Sequence, residues 1–128
     1  MPRAKGSIGT TNFAVSILAG DHQLTADERI EQGGKNTGPT PTELLCSALC
    51  ACTAITLRMY AERKQWPLRA LHVDVHYERD DAGGKIERAL RLEGDLDDVQ
   101  RARLADIAER TPVTLMLKQG LPIKPSLE

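Results

Sequence analysis

Residues 38–57 read GPTPTELLCSALCACTAITL, and this stretch decides how the rest of the chain is expected to fold. Its last fourteen residues carry no charge, although 27% of the whole chain is charged. Thr40 suits the N-cap of a helix, and Pro41 suits the first helical position, where a backbone N–H would have no helical partner. Glu43, three residues after Thr40, completes a capping box. The stretch therefore predicts a long helix over 41–64.

The uncharged part of this helix is apolar on all sides, so we expect it to be buried on all sides. It is shorter than the roughly 20 apolar residues that span a bilayer, which favours a core helix and no membrane partner. A two-layer domain of this size has too few elements to surround such a helix. We therefore predict that a second subunit covers the remaining face and that the protein is an obligate homodimer.

Length and composition narrow the functional classes. A chain of 128 residues predicts one domain over 1–128. The net charge is −1 and acidic and basic residues are interspersed, which excludes the basic stripe of a nucleic-acid-binding protein. The N-terminus lacks the apolar segment of a secretory signal. Three cysteines within seven residues do not form a disulfide framework, so we predict a reducing, cytoplasmic location.

The elements around the helix predict an α+β fold with two layers, in which the long central helix packs on antiparallel sheet. Alternating apolar residues and turn signals predict the remaining elements. They are strands at 12–18, 22–26, 71–78 and 86–93, a loop at 27–38, a helix at 96–110, a short helical turn at 113–117 and a final edge strand at 121–124. Residues 1–6 are expected to form a loose terminus. Asp95 is the predicted cap of the second helix, and Val99 is expected on its apolar face.

The three cysteines all lie on the central helix. At 100° per residue, Cys46 and Cys50 share one face, while Cys52 points about 160° away from Cys50. They cannot converge on one ion, and the paired spacing of a zinc site is absent, so no metal and no cofactor are predicted. From spacing alone, each cysteine is interpreted as a small buried hydrophobe. Cys52 lies about three turns inside its own helix, so a reactive thiolate there would need an Arg or Lys that the fold brings close.

The residues considered so far predict no reaction, but one resemblance adds to them. The segments GGKNTGPTPTELL at 33–45 and ALCACTAITLRMYA at 48–61 resemble the OsmC/Ohr family of osmotically inducible and organic hydroperoxide resistance proteins. The continuation TLRMYAERKQWPL at 56–68 resembles the bacterial OsmC-like branch. The resemblance implies an intertwined α+β homodimer, with two central helices back to back and active sites at the subunit interface.

The resemblance also implies a chemistry. Peroxidases of the family reduce organic hydroperoxides with a reactive cysteine on this helix, and Cys52 falls on that position. The sulfur becomes a sulfenic acid, which a second cysteine of a Cys-Pro pair then converts to a disulfide. Here that pair reads Thr111-Pro112. The family's catalytic glutamate falls on Thr42, with Glu43 as its neighbour.

The family's catalytic arginine has no match in this sequence, and Arg29 and Lys35 are the cations that the loop could bring to the thiol. We therefore predict a one-cysteine thiol peroxidase, active in the oxidative stress response on organic hydroperoxides or H2O2, with an external thiol as reductant. Cys52 is the predicted nucleophile, and Glu43 and Arg29 are the predicted helpers. The alternative is a non-catalytic dimeric relative that binds a small apolar ligand or senses redox state through the same thiol.

Overall fold

The computed structural model describes all residues from Met1 to Glu128, and the chain forms two compact units, Met1–Leu45 and Cys46–Glu128. Five strands and three α-helices confirm the predicted α+β class. In chain order the elements are β1 (Ala4–Ser7), β2 (Val15–Ala19), β3 (His22–Ala26), α1 (Pro41–Arg63), β4 (Leu68–Asp80), β5 (Gly83–Gly94), α2 (Asp98–Ala108) and α3 (Pro112–Gln119).

The first unit is built on a three-stranded antiparallel sheet in the order β1-β2-β3. The hairpin of β2 and β3 has Ala19 paired with His22, as expected from the turn at Gly20. The prediction of a loose terminus at 1–6 is wrong, because β1 pairs with β2 from Ala4 onward. All four side chains of β1 are exposed, so backbone hydrogen bonds hold the strand and the sequence shows no apolar alternation.

A buried carboxylate organises the loop between β3 and α1. Asp27 is only 2% exposed, and its oxygens accept hydrogen bonds from the backbone N–H groups of Phe13, Glu28, Lys35 and Thr37. The Thr37 hydroxyl donates a further bond of 2.6 Å, and this bond is the largest cause that holds the pKa of Asp27 well below its usual range. The loop therefore has a defined path, interrupted by one short 3-10 turn at Ile30–Gln32.

The start of α1 confirms the predicted capping box. The Thr40 N–H donates to Glu43 Oε1 over 2.9 Å, and the Glu43 N–H donates to Thr40 Oγ1 over 3.2 Å. The helix ends at Arg63, one residue before the predicted end. The cap signal thus predicts the first residue of the helix correctly.

Within one chain, α1 is buried on one face only. One stripe is buried, and an apolar stripe on the opposite face of the helix is exposed. The buried residues are Leu49, Thr53, Leu57 and Ala61, and the exposed ones are Ala48, Ala51, Ile55 and Met59. Burial on all sides, as predicted from composition, is therefore not reached within a single chain. By length and composition alone α1 would also suffice to cross a membrane, a test that core helices of soluble proteins pass as well.

In the second unit, β4 and β5 form a long antiparallel hairpin whose side chains alternate between the two faces. Leu71, Val73 and Val75 face inward on β4, as predicted. The core of this unit is a cluster of leucines and alanines from α1, β4, α2 and the segment before α2: Leu57, Ala61, Leu68, Leu96, Leu104 and Ala108. The unit thus holds the second half of α1 against the hairpin and α2.

Three predictions for the C-terminal part are wrong. The N-cap of α2 is Asp97 rather than Asp95, because Asp97 forms a reciprocal capping box with Gln100. Val99 is 78% exposed and does not belong to the apolar face of α2. Residues 121–124 form no strand. The predicted turn at 113–117 is the middle of the eight-residue helix α3, which Thr111 caps by accepting a bond from the Thr114 N–H.

Candidate thiol site

Cys52 lies in the middle of α1 and is neither fully buried nor fully exposed. The backbone N–H of Val113 donates a hydrogen bond to Cys52 Sγ over 3.4 Å. The hydroxyl of Thr56, one turn further along α1, lies 4.0 Å from the same sulfur. Because Thr111 is the N-cap of α3, Val113 is the second residue of that helix. The sulfur of Cys52 therefore sits at the N-terminus of α3.

This position has an electrostatic consequence. The first N–H groups of a helix have no partner within the helix and carry the positive end of its dipole. A cysteine at a helix N-terminus is among the environments that favour the thiolate. The sequence suggested that Cys52 is too deep in α1 for the dipole of α1 to act on it. The structure supplies the N-terminus of another helix instead.

Arg88 on β5 lies beside this site. Its Nη1 donates to the hydroxyls of Thr53 and Thr114, over 3.1 and 3.0 Å, and its Nη2 donates to Glu109 Oε2 over 3.0 Å. Thr53 follows Cys52 on α1, and Thr114 follows Val113 on α3. Arg88 was not predicted as a site residue from the sequence. A signal was present, since Arg88 occupies an inward-facing position in the alternating pattern of β5 between Ile86 and Leu90.

The two predicted helpers, Arg29 and Glu43, lie together in the first unit. Arg29 Nη2 donates to Glu43 Oε2 over 2.7 Å, and the side chains are 59% and 46% exposed. The Thr40 N–H and then the Arg29 guanidinium are the main causes that lower the pKa of Glu43, so the carboxyl is charged. Glu43 therefore combines two roles that the sequence left open, since it caps α1 and also holds an arginine.

A cleft of about 680 Å³ opens in the second unit next to the Arg88 network. Its walls combine apolar side chains, among them Leu49, Leu90 and Leu117, with the charged groups of Arg88 and Glu109. A volume of this size lies within the range of small-molecule sites. No group of three or more His, Cys, Asp or Glu side chains is placed to hold a metal ion.

Both the sequence and the fold of this chain are similar to those of known proteins. Residues 34–126 match the OsmC family, described as OsmC-like protein. This chain belongs to the OsmC family. No curated protein matches its sequence, whereas solved structures of OsmC-like proteins match the fold over most of the chain.

Three of the matching structures are crystal structures of OsmC and Ohr proteins. An OsmC-like protein from Mycoplasma pneumoniae has a TM-score of 0.80 at 19% identity, covering 94% of this chain and 89% of its own. An organic hydroperoxide resistance protein OsmC from Legionella pneumophila has a TM-score of 0.66 at 21% identity, covering 93% and 90%. The organic hydroperoxide resistance protein OhrB of Bacillus subtilis has a TM-score of 0.63 at 19% identity, covering 94% and 92%.

The segment that matches the family, residues 34–126, contains the whole of α1. The other two cysteines of this OsmC-family chain lie elsewhere on α1. Cys50 donates from Sγ to the backbone oxygen of Val73 over 3.7 Å, and all three cysteines are free thiols.

Proposed function

We propose that this OsmC-family protein is a thiol-dependent peroxidase that reduces organic hydroperoxides, and H2O2, by a one-cysteine mechanism with Cys52 as the nucleophile. The observation that carries the proposal is the bond from the Val113 N–H to Cys52 Sγ at the N-terminus of α3. The sulfur accepts a backbone hydrogen bond at a helix N-terminus, and the residue is only half-buried. These two properties are what a peroxide-reducing thiol needs.

The reaction begins with attack of the Cys52 thiolate on the terminal oxygen of the hydroperoxide ROOH. An S–O bond forms, the O–O bond breaks, and the alkoxide leaves and takes up a proton to give the alcohol ROH. Cys52 is oxidised to a sulfenic acid. The Val113 N–H donates to the sulfur, the Thr56 hydroxyl lies 4.0 Å from it, and these two groups hold it in place during attack.

Return to the thiol requires an external reductant, because the position of the family's second cysteine is Thr111 in this chain. One reductant thiol attacks the sulfenic sulfur, which releases water and leaves a mixed disulfide. A second reductant thiol then releases the Cys52 thiol and gives the disulfide of the reductant. Cys50 cannot replace the missing cysteine, because it lies on a different face of α1 from Cys52. Its sulfur donates a hydrogen bond to the backbone oxygen of Val73 on β4.

We assign Arg29 and Glu43 as helpers of this reaction, on the resemblance to the family and on their mutual ion pair. In family dimers the active sites lie at the subunit interface, so the pair of one subunit would serve the thiol of the other. A paired, charged Glu43 fixes the orientation of the guanidinium, which is then available to an oxyanion.

The test is turnover of cumene hydroperoxide and of H2O2 by wild type and Cys52→Ser, with dithiothreitol or a monothiol as reductant. We expect Cys52→Ser to fall to the uncatalysed background, whereas the matched control Cys50→Ser keeps most of the activity. Equal support from the monothiol and the dithiol is expected for a one-cysteine cycle. Wild type without turnover, or turnover that survives Cys52→Ser, would overturn the proposal.

We also propose that the protein is a cytoplasmic homodimer whose contact includes the exposed apolar stripe of α1. Ile55 is 55% exposed on that stripe. Ile55→Glu is expected to give a monomer in sedimentation analysis, since a buried interface does not tolerate an unpaired charge. The control is Val99→Glu on α2, where the valine is 78% exposed, and it is expected to leave the mass unchanged. A wild-type monomer, or a dimer that survives Ile55→Glu, would contradict this assignment.

A second candidate is a non-catalytic protein that binds a small apolar ligand or senses redox state through Cys52. The cleft of about 680 Å³ and its leucine lining favour this candidate. It becomes the better explanation if wild type shows no turnover and Cys52 is inert to a thiol probe at pH 6. An ordinary thiol, with a pKa near 8.5, is almost entirely protonated at that pH.

A further inference from the structure

We propose that Arg88 is a positioning residue for the Cys52 thiolate, acting by fixing the N-terminus of α3 against α1. The inference deepens the proposed function, since it takes Cys52 as the reactive thiol. It assigns to Arg88 the stabilising role for which the loop cations Arg29 and Lys35 were the sequence-based candidates.

Arg88 on β5 joins α1 to α3. From β5, its guanidinium reaches Thr53 on α1 and Thr114 on α3 with the same nitrogen, over 3.1 and 3.0 Å. These two threonines directly follow the two groups of the thiol contact, the sulfur of Cys52 and the N–H of Val113. One cation therefore bridges the two helices one residue away from the bond that stabilises the thiolate.

The hydroxyl groups around Arg88 form a closed set of hydrogen bonds. The Thr114 hydroxyl donates to the backbone oxygen of Ala108 over 3.3 Å, and so it accepts from Arg88 and from the Thr111 hydroxyl, which lies 2.6 Å away. Thr111 Oγ1 in turn accepts from the Thr114 N–H. Each hydroxyl oxygen has one proton and two acceptor sites, which these bonds use without conflict. The first turn of α3 thus has one orientation, set by Arg88 and the N-cap.

The burial of Arg88 shows that the network is more than a surface contact. The Arg88 side chain is 11% exposed, and Thr53 and Thr111 are fully buried. The single carboxylate that faces Arg88, that of Glu109, is 57% exposed and also lies 3.7 Å from Lys118 Nζ. Two cations thus share one solvent-screened anion, so the local balance of charge around Arg88 is positive.

A second arginine of the same unit provides a matched control. Arg101 is also partly buried and also makes three hydrogen bonds, to the backbone oxygens of Leu92, Gly94 and Leu96. It contacts neither α1 nor α3 through these bonds. Loss of Arg101 removes a partly buried arginine with three hydrogen bonds, as loss of Arg88 does. Only loss of Arg88 also removes the link between Thr53 on α1 and Thr114 on α3.

The test measures the reactivity of Cys52 directly. In a Cys46→Ala, Cys50→Ala background, the rate of alkylation by iodoacetamide is followed from pH 5 to pH 9; this probe is uncharged, so charge attraction does not change its approach. We expect Arg88→Met to slow alkylation at pH 6 by about tenfold, equivalent to a shift of the pH profile by about one unit. Arg88→Lys is expected to recover part of the loss, and Arg101→Met to stay within about twofold of wild type.

The proposal is overturned if folded Arg88→Met reacts at the wild-type rate, or if Arg101→Met is slowed as much as Arg88→Met. Should Arg88→Met not fold, Thr114→Val provides the second measurement, since it keeps Arg88 but removes the α3 hydroxyl that accepts from it, together with the bonds of that hydroxyl to Thr111 and Ala108. It is expected to slow alkylation about threefold, and an unchanged rate would overturn the proposal. Peroxide turnover of the same proteins separates the two claims. If wild type does not turn over peroxide but Arg88→Met slows alkylation, the peroxidase proposal fails while the positioning role stands.

Discussion

Asp27 in the first unit and Arg88 in the second are charged side chains with little solvent exposure, at 2% and 11%, and their hydrogen-bond partners are of different kinds. Asp27 in the first unit accepts five hydrogen bonds, four of them from backbone N–H groups. Arg88 in the second unit donates to two threonine hydroxyls and to one carboxylate. Backbone donors fix the path of a chain, whereas side-chain partners on separate elements fix those elements to one another.

The partners also differ in their distance along the sequence. Four of the five bonds to Asp27 come from residues within ten positions of it, so the carboxylate holds a single loop together. The partners of Arg88 lie 35, 21 and 26 positions away, on α1, at the end of α2 and on α3. The first network therefore maintains local structure, and the second sets the geometry around Cys52.

The largest effect on stability is expected from Asp27→Asn. An amide nitrogen cannot accept the bonds that the carboxylate accepts, so several backbone N–H groups lose a partner. We expect the melting temperature to fall by roughly 5–10 °C, measured by circular dichroism. Cys52 alkylation, measured below that temperature, is expected to stay within about twofold of wild type.

The control for this variant is Asp21→Asn, at an exposed position of the turn between β2 and β3. It is expected to leave the melting temperature unchanged to within about 2 °C. A comparable loss in both variants, or a strong effect of Asp27→Asn on Cys52, would remove the distinction between a network for local structure and a network for the thiol.

The sequence predicted features that depend on local contacts better than features that depend on contacts between distant parts of the chain. Thr40 and Pro41 marked the start of α1 because a helix cap is a local signal. The same Thr-Pro pair occurs at Thr111 and begins α3, although only a short turn was expected there. Local signals also placed β3 and the inward face of β4. β1 was missed because its pairing depends on backbone bonds to a strand that follows it.

The site was less predictable than the fold. The resemblance of one helix pointed to Cys52, and no local pattern shows that Val113 would lie beside its sulfur, since 61 residues separate them. Arg88 lies at an inward-facing position of β5. This position indicates that its charge is withdrawn from solvent, but it does not indicate which groups bind the guanidinium. Such contacts arise only when the elements have packed.

A smaller effect is expected when the pH is lowered. The pKa of Asp27 in the folded chain lies below its ordinary value of 3.8, so the unfolded chain takes up the proton first as the pH falls. The contribution of Asp27 to stability is thus complete above about pH 5 and decreases below about pH 4. In urea unfolding, the difference in midpoint between pH 7 and pH 3 is expected to shrink in Asp27→Asn relative to Asp21→Asn. Equal differences in the two variants would contradict this assignment.

The smallest effects are expected from removing one hydroxyl group of each network. Thr37→Val deletes the 2.6 Å bond to Asp27, and Thr53→Val deletes the 3.1 Å bond from Arg88. We expect Thr37→Val to lower the melting temperature by about 2–4 °C without changing Cys52 alkylation. Thr53→Val is expected to slow alkylation about two- to threefold, because Arg88 then holds α3 but no longer α1. If both variants changed only stability, the threonines would have a structural role in both networks. Any effect of Arg88 on the reactivity of Cys52 would then come from its charge alone.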